Sequence, residues 1–160
     1  SGVGSEGKLR LSHEELDEVA VQGIDWAIEH GFGRKEDKKH TEEYGRISGA
    51  DPRAVSPRAK KRGKRQLGTL GAGNHFLEIQ YVENVYDEKT AGAFGLEKDQ
   101  VVVMIHTGSR GYGHQICSDN IPPLLELARR NNLYLPDPEL AYAPMGSPEA
   151  ESYLKGMKCG

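Results

Sequence analysis

In the stretch Leu67–Gln80, LGTLGAGNHFLEIQ, a cluster of glycines runs directly into a strand-like pattern. Glycine adopts backbone angles that other residues avoid and lets the main chain come close to a ligand. A phosphate-binding P-loop would follow its strand and end in Gly-Lys-Ser/Thr, and a dinucleotide fingerprint would also follow its strand. Here the glycines precede the strand, so neither nucleotide motif fits. The glycines are Gly68, Gly71 and Gly73.

A second stretch, VVVMIHTGSRGYGH from Val101 to His114, also places a histidine at a strand end beside glycines. If the two strands pair antiparallel, the start of the first lies beside the end of the second. His75 and His106 would then both reach one ion. Asn74 and Glu78 add an amide and a carboxylate, and nitrogen with carboxylate ligands suits manganese or zinc.

Spacing alone leaves a structural role open for each of these histidines, because a metal site usually needs three or four protein ligands. After His106, Ser109 is positioned to cap a helix. Arg110 and the backbone N–H groups of that helix start would hold a phosphate. His114 and Cys117 are interpreted as residues that pack on the helix.

The pattern of apolar residues predicts an α+β fold, with an antiparallel-rich sheet flanked by helices. Phe76 to Tyr86 is rich in β-formers and is expected to be one long strand. Gln100 to His106 is a continuous apolar run, which predicts a strand that is buried on both faces.

The helix signals are local and mostly polar. Ser12 and Glu15 have the spacing of a capping box, which predicts a helix that ends near Gly31. A short helix is predicted near Ser56–Arg62, and another from Asp87 to Phe94, where Gly95 stops it. A longer helix is predicted from Ser109 to Arg130, with an interruption at Pro122-Pro123 and a restart after the prolines. Ser147 is expected to cap a last helix.

The composition is that of a globular chain. It has 160 residues, 36% of them hydrophobic, and a net charge of −3, and this length can enclose a sizeable core. No apolar run approaches the roughly 20 residues that span a bilayer, so no membrane partner is expected. Two cysteines are too few for a disulfide scaffold, and a reducing, cytoplasmic location is expected.

The segment Arg58–Arg65 is locally basic, with six lysines and arginines. Such runs are most often solvated surface. The functional interpretation is contact with the phosphates of a nucleic acid.

Three stretches together resemble the RtcB family of RNA-splicing ligases, its archaeal members most. They are SGVGSEGKLRLSHEELDEVAVQG (1–23), QLGTLGAGNHFLEIQ (66–80) and DQVVVMIHTGSRGYGHQ (99–115). The resemblance extends over nearly the whole chain. The combination of Asn-His-Phe-Leu-Glu with His-Thr-Gly-Ser-Arg-Gly is far more specific than a single glycine motif.

The resemblance implies an enzyme that joins RNA ends bearing a 2′,3′-cyclic phosphate or 3′-phosphate to ends bearing a 5′-hydroxyl. The family uses GTP and two manganese ions, and a histidine carries GMP before it passes to the RNA. The implied partners are tRNA exon halves or broken RNA ends, and a helper protein of the archease type.

The resemblance also assigns roles to residues. His75 and His106 match metal-binding histidines. The residues that match the guanylate site are Asn74, His75, Phe76, Leu77 and Glu78. Arg110 matches an arginine suited to an RNA phosphate, and Arg62, Lys64 and Arg65 are further candidates for RNA contact.

Residues 1–160 are expected to be the central part of an RtcB-like ligase domain. The family's Asp-x-x-Cys motif is expected upstream, and its guanylated histidine downstream. The chain alone is therefore predicted neither to ligate RNA nor to accept GMP. The alternatives are a non-catalytic RNA-binding module, and a metal-dependent phosphodiesterase that uses the same two histidines.

Overall fold

The structure is a computed structural model that describes residues 6–160. Residues 1–5, the start of the predicted domain part, lie outside the described residues. The described chain divides into two compact units. The sheet unit is residues 69–108, and the helical unit is residues 6–68 together with residues 109–160.

Six α-helices and two β-strands are described. Their bounds are α1 His13–Gln22, α2 Ile24–Glu29, α3 Pro57–Gln66, β1 Phe76–Tyr81, α4 Glu88–Ala93, β2 Val101–His106, α5 Arg110–Arg130 and α6 Pro148–Met157. Short 3-10 turns cover Lys35–His40, Glu42–Gly45, Pro52–Ala54 and Pro138–Leu140. The α+β prediction is confirmed, with an antiparallel sheet of two strands among the described residues. Over residues 6–160, every helix is too short or too polar to cross a bilayer.

The first helix starts as predicted but is not continuous. Ser12 accepts from the Glu15 backbone N–H at 3.0 Å, and the Glu15 carboxylate accepts from the Ser12 N–H at 2.7 Å. The prediction of one helix up to Gly31 is wrong, because Gly23 breaks it with φ 57° and ψ −128°. A Cβ at Gly23 would lie 2.1 Å from the carbonyl oxygen of Gly45. A side chain at position 23 would therefore clash with the Gly45 backbone, so the close approach of the two segments requires glycine here.

Helix α3 is longer than the predicted Ser56–Arg62 segment and packs on α5. Ser56 caps it by accepting from the Ala59 N–H at 3.1 Å, and Pro57 is the first helical residue. A Cβ at Gly63 would lie 2.6 Å from the ring of Tyr112. Glycine at this position lets the two helices approach closely.

Helix α5 runs unbroken from Arg110 to Arg130 and contains both prolines. The predicted interruption at Pro122-Pro123 is therefore wrong. A proline inside a helix removes a backbone hydrogen bond and usually kinks or breaks the helix. The cost is offset here by packing on both sides of the prolines, where Ile116, Leu124 and Leu127 are buried.

The buried core belongs to the helical unit. Its main cluster joins α1, α2, α3 and α5 and consists of Leu11, Leu16, Trp26, Val55, Ala59, Tyr112 and Ile116. The last helix begins as predicted, because Ser147 accepts from the Ala150 N–H at 3.2 Å. Ala150 of α6 is buried as well.

In the sheet unit, β1 and β2 pair antiparallel in the register Phe76↔His106 through Tyr81↔Val101. This confirms the pairing on which the histidine hypothesis depends. The predicted strand Phe76–Tyr86 is too long, because β1 ends at Tyr81 opposite the first residue of β2. The predicted short helix is confirmed as α4, which Asp87 caps.

The prediction that Gln100–His106 is buried on both faces is wrong. Val101 and Val103 are exposed, and so is Ile105. The apolar run correctly predicts a strand, but burial needs a layer packed on each face. The two-stranded sheet of the described residues exposes apolar side chains of both strands.

Candidate functional site

The glycine-rich segment before β1 is a bent connection. Gly68, Gly71 and Gly73 all have positive φ, at 72°, 111° and 76°. At Gly68 and Gly73 a Cβ would meet nothing within 4 Å. Glycine is therefore favoured at these two positions by the positive φ and not by a lack of space for a side chain. The hydroxyl of Thr107, just after β2, donates to the carbonyl of Leu70 at 2.7 Å. The segment is thereby fastened to the chain that follows His106.

His75 and His106 lie side by side at the end of the strand pair. Their ring centroids are 5.8 Å apart, and the rings are tilted by 54°. His106 also stacks on Phe76, at 5.6 Å and 17°, which fixes one side of its ring. A Cβ at Gly108 would lie 3.9 Å from Nε2 of His75. The glycine after Thr107 therefore borders the imidazole of His75.

This geometry is compatible with two ligands of one ion. A metal-bound imidazole nitrogen lies about 2 Å from its ion, so two rings at this separation can approach a shared cation. Within residues 6–160, however, no group of three or more His, Cys, Asp and Glu residues could hold a metal ion. The described residues around the pair therefore do not form a complete ligand set by themselves. The role of the pair as a metal site stays a prediction.

The other predicted guanylate-site residues lie next to this pair in sequence. Asn74 precedes it and is exposed, and Phe76 is half-buried. Leu77 and Glu78 are exposed. A carboxylate oxygen of Glu78 accepts from the amide of Gln80 at 2.7 Å. These side chains are accessible to a ligand, and their part in nucleotide binding stays a prediction.

The basic segment Arg58–Arg65 is helical, and three of its side chains are used inside the unit. Lys60 pairs with Asp17 at 2.7 Å and is only 16% exposed. Arg62 donates to Oε1 of Gln115 at 2.9 Å. Arg65 pairs with Glu6 at 2.7 Å. Lys60 and Arg62 therefore help to fasten α3 to its neighbours.

The remaining cations of the segment differ in exposure. Arg58 and Lys61 are exposed, and Lys64 is half-buried. Arg110, the first residue of α5, has a left-handed φ of 55°. Ser109 is its cap residue, but among the described residues its side chain makes no capping hydrogen bond. The predicted N-cap position is therefore confirmed, but the side-chain cap is not formed, because an N-cap side chain acts from an extended backbone and Ser109 has ψ 9°.

Sequence reasoning missed the polar contacts that fasten α3 to α5. Gln115 is 4% exposed and binds both Arg62 and Asp119. Ser56 donates its hydroxyl to Asp119 at 2.5 Å. That hydrogen bond, with a second one from Gln115, keeps the pKa of the Asp119 carboxyl below its usual range. No local pattern marks residues whose partners are more than fifty positions away.

The cysteines show no sign of a reactive centre. Burial raises the pKa of the Cys159 thiol to about 11, which disfavours the thiolate. Cys117 is exposed on α5. Neither is grouped with the histidine pair into a metal cluster within the described residues.

Comparison with known proteins agrees with the resemblance. The family model described as "tRNA-splicing ligase RtcB" matches residues 1–160. The tRNA-splicing ligase RtcB of Methanococcus maripaludis is 52% identical over 160 residues, covering 100% of this chain and 33% of the relative. The protein of the same name from Archaeoglobus fulgidus is 54% identical over 157 residues, covering 98% of this chain and 33% of the relative.

A third relative, the tRNA-splicing ligase RtcB of Methanocaldococcus jannaschii, is 51% identical over 160 residues and is covered to 16%. The chain thus spans about a third of the length of the first two relatives, and less of this one. Because the family model matches every residue, the chain belongs to the RtcB family.

Proposed function

We propose that this chain forms part of an RNA ligase that joins 2′,3′-cyclic phosphate or 3′-phosphate ends to 5′-hydroxyl ends, with GTP and manganese. Its substrates are tRNA exon halves or broken RNA ends in the cytoplasm, and an archease-type protein assists it. The observation that carries the proposal is the meeting of His75 and His106 at the end of an antiparallel strand pair, in a chain of the RtcB family.

The two imidazoles act as metal ligands in this proposal. Manganese, two ions in the full site, would when bound supply neutralisation of phosphate charge and activation of the attacking groups. His106 is suited to hold a fixed direction because its ring stacks on Phe76. Asn74, Leu77 and Glu78 lie within three residues of His75 and offer exposed side chains to a guanine nucleotide.

Arg110 and the cations of α3 hold RNA phosphates in this proposal. Guanidinium groups bind phosphate oxygens through two parallel hydrogen bonds. Arg62, Lys64 and Arg65 are assigned the same role, although Arg62 and Arg65 also make contacts within the helical unit.

The isolated 160 residues are proposed to be inactive. The chain covers about a third of two of its relatives, and residues 6–160 supply no complete metal cluster. Incubation with labelled GTP and manganese is expected to leave the chain without covalent GMP. A stable GMP adduct would contradict this part of the proposal.

The ligase proposal is tested with a chimera in which residues 1–160 replace the matching third of the Methanococcus maripaludis relative. The chimera is expected to join a cyclic-phosphate RNA end to a 5′-hydroxyl end. His75→Ala and His106→Ala should each reduce joining by more than about 100-fold, since loss of even an outer partner of a metal ligand costs 10–100-fold. His40→Ala, in an exposed 3-10 turn, is the matched control and should keep its activity.

The alternatives give different results in the same experiment. A folded chimera that binds RNA but joins nothing, with or without the two histidines, would indicate a binding module. Hydrolysis of the cyclic phosphate without joining would indicate a phosphodiesterase. Full joining by both histidine variants would contradict the metal role.

A further inference from the structure

A small basic pocket lies between the segment before α1 and the end of α3. It has a volume of about 280 Å³ and is lined by Glu6, Arg10, Leu11, Lys64 and Arg65. Three of these side chains are cationic and one is anionic. Arg10 is separated from the basic run by some fifty residues of sequence, so only the fold brings it to Lys64 and Arg65.

The two arginines of the pocket already hold an oxyanion. One oxygen of Glu6 lies 2.7 Å from the Arg65 guanidinium, and the other lies 3.5 Å from that of Arg10. Planar guanidinium groups hold carboxylates and phosphates with the same fork of N–H donors. The positions of the arginines therefore suit a phosphate group as well as they suit the carboxylate.

The main chain keeps these groups in place. Arg10 also donates to the carbonyl of Gly7 at 2.8 Å, and the Gly7 N–H donates to the carbonyl of Arg65 at 2.8 Å. Leu11, which lines the pocket, is part of the buried core. Within residues 6–160 the Lys64 ammonium forms no hydrogen bond or close ion pair, and the Glu14 carboxylate is near enough to interact with its charge.

We propose that this pocket binds a backbone phosphate of RNA through Arg10, Lys64 and Arg65, and that Glu6 occupies the place of the phosphate when RNA is absent. The proposal rests on the proposed RNA-ligase function, in which Lys64 and Arg65 already contact phosphate, and it adds Arg10 and the displaceable Glu6 to them. The pocket continues along α3 into exposed cations at Lys61 and Arg58, which recur at helical spacing. A row of cations suits a polyanion better than a single small anion.

The test is the affinity of the 160-residue chain for a fluorescein-labelled, single-stranded RNA, measured by anisotropy over a range of NaCl concentrations. Arg10→Ala and Lys64→Ala are each expected to weaken binding about fivefold and to reduce the salt slope by about one. Arg129→Ala is the matched control, because Arg129 is also an exposed arginine paired with a glutamate. It should leave the affinity within about twofold.

Glu6→Gln tests the proposal through an expected gain of RNA affinity. Removal of the competing carboxylate is expected to tighten RNA binding by several-fold. Glu126→Gln makes the same charge change beside Arg129 and should have a smaller effect. This pair of variants tests whether Glu6 competes with RNA even if Arg10→Ala fails to fold, because unfolding does not produce a gain of RNA affinity.

Added inorganic phosphate or GTP, at matched ionic strength, distinguishes the sources of phosphate. Neither should displace the RNA from the wild-type chain at concentrations where unlabelled RNA does. The proposal is overturned if Arg10→Ala has the same RNA affinity as Arg129→Ala, or if Glu6→Gln has the same RNA affinity as Glu126→Gln. It is also overturned if GTP displaces the labelled RNA as well as unlabelled RNA does, or if the chain binds no RNA. Joining by the chimera would in each case leave the ligase proposal standing, so the two failures are distinguishable.

Discussion

The helical unit and the sheet unit differ in how far their apolar side chains are buried. In the helical unit, Trp26 and Ile116 are each 3% exposed. In the sheet unit, Ile79 is 77% exposed and Val101 is 69% exposed. Burial of apolar surface is the main favourable contribution to folding. The core that stabilises this chain lies in the helical unit, and the imidazole pair that is its best candidate for chemistry lies in the sheet unit.

The strongest test of this comparison is Trp26→Ala. Removal of a buried tryptophan from the core should lower the free energy of unfolding by about 3–5 kcal/mol. Because Trp26 is the chain's one tryptophan, denaturation is followed by circular dichroism and not by fluorescence. Tyr86→Ala, at a residue that is 95% exposed, should change the value by less than about 0.5 kcal/mol. Equal effects of the two substitutions would contradict the assignment of the core.

The second test is Gly63→Ala, which adds one methyl group between α3 and α5. A Cβ there would be 2.6 Å from the buried ring of Tyr112, so the helices must move apart, at a cost of about 1–3 kcal/mol. Gly92→Ala in α4 is the matched control, because nothing lies within 4 Å of its Cβ. That substitution should be neutral or slightly stabilising. The assignment of a close contact between α3 and α5 would be contradicted if Gly92→Ala lowered the free energy of unfolding and Gly63→Ala did not.

The third test is the pH dependence of stability, compared between wild type and Asp119→Asn. The hydrogen bond from Ser56 lowers the folded-state pKa of Asp119 below its unfolded value near 3.8. This carboxylate therefore contributes stability that is present above about pH 4 and is lost as the pH falls through the folded-state pKa. The variant should show a shallower loss of unfolding free energy below about pH 4. Parallel curves for both proteins would show that this hydrogen bond is not maintained in solution.

The smallest expected effect is that of Ile79→Thr. The substitution keeps a β-branched residue in β1 and removes an apolar side chain that is already largely exposed. The free energy of unfolding should change by less than about 0.5 kcal/mol. A loss of several kcal/mol would show that β1 is covered in solution and would remove the contrast between the two units.

The predictions from sequence succeeded where the cause is local. The Ser12–Glu15 capping box and the Ser147 cap need only residues three positions apart. The two imidazoles were correctly expected to be neighbours, because antiparallel pairing places the start of one strand beside the end of the next. The glycines before β1 have the positive φ that their residue type allows.

Most of the failures involve partners distant in sequence, and the missing side-chain cap at Ser109 is a local exception. The apolar run of β2 does not indicate whether other secondary-structure elements pack on the two faces of the strand. A side chain at Gly23 would clash with Gly45, and α5 continues through its prolines with buried residues on both sides of them. Arg10 is not a candidate from the sequence, because nothing near it indicates that it shares a pocket with Lys64 and Arg65.

The most direct test of the central claim is an NMR titration of the chain with Mn²⁺, observed on the ring nitrogens of its six histidines. Paramagnetic broadening identifies the nuclei nearest the ion even when binding is weak. His75 and His106 should broaden together and before the other four histidines, and His75→Ala should abolish the early broadening of His106. Broadening that begins at another histidine, or that affects one ring of the pair without the other, would contradict a shared manganese site.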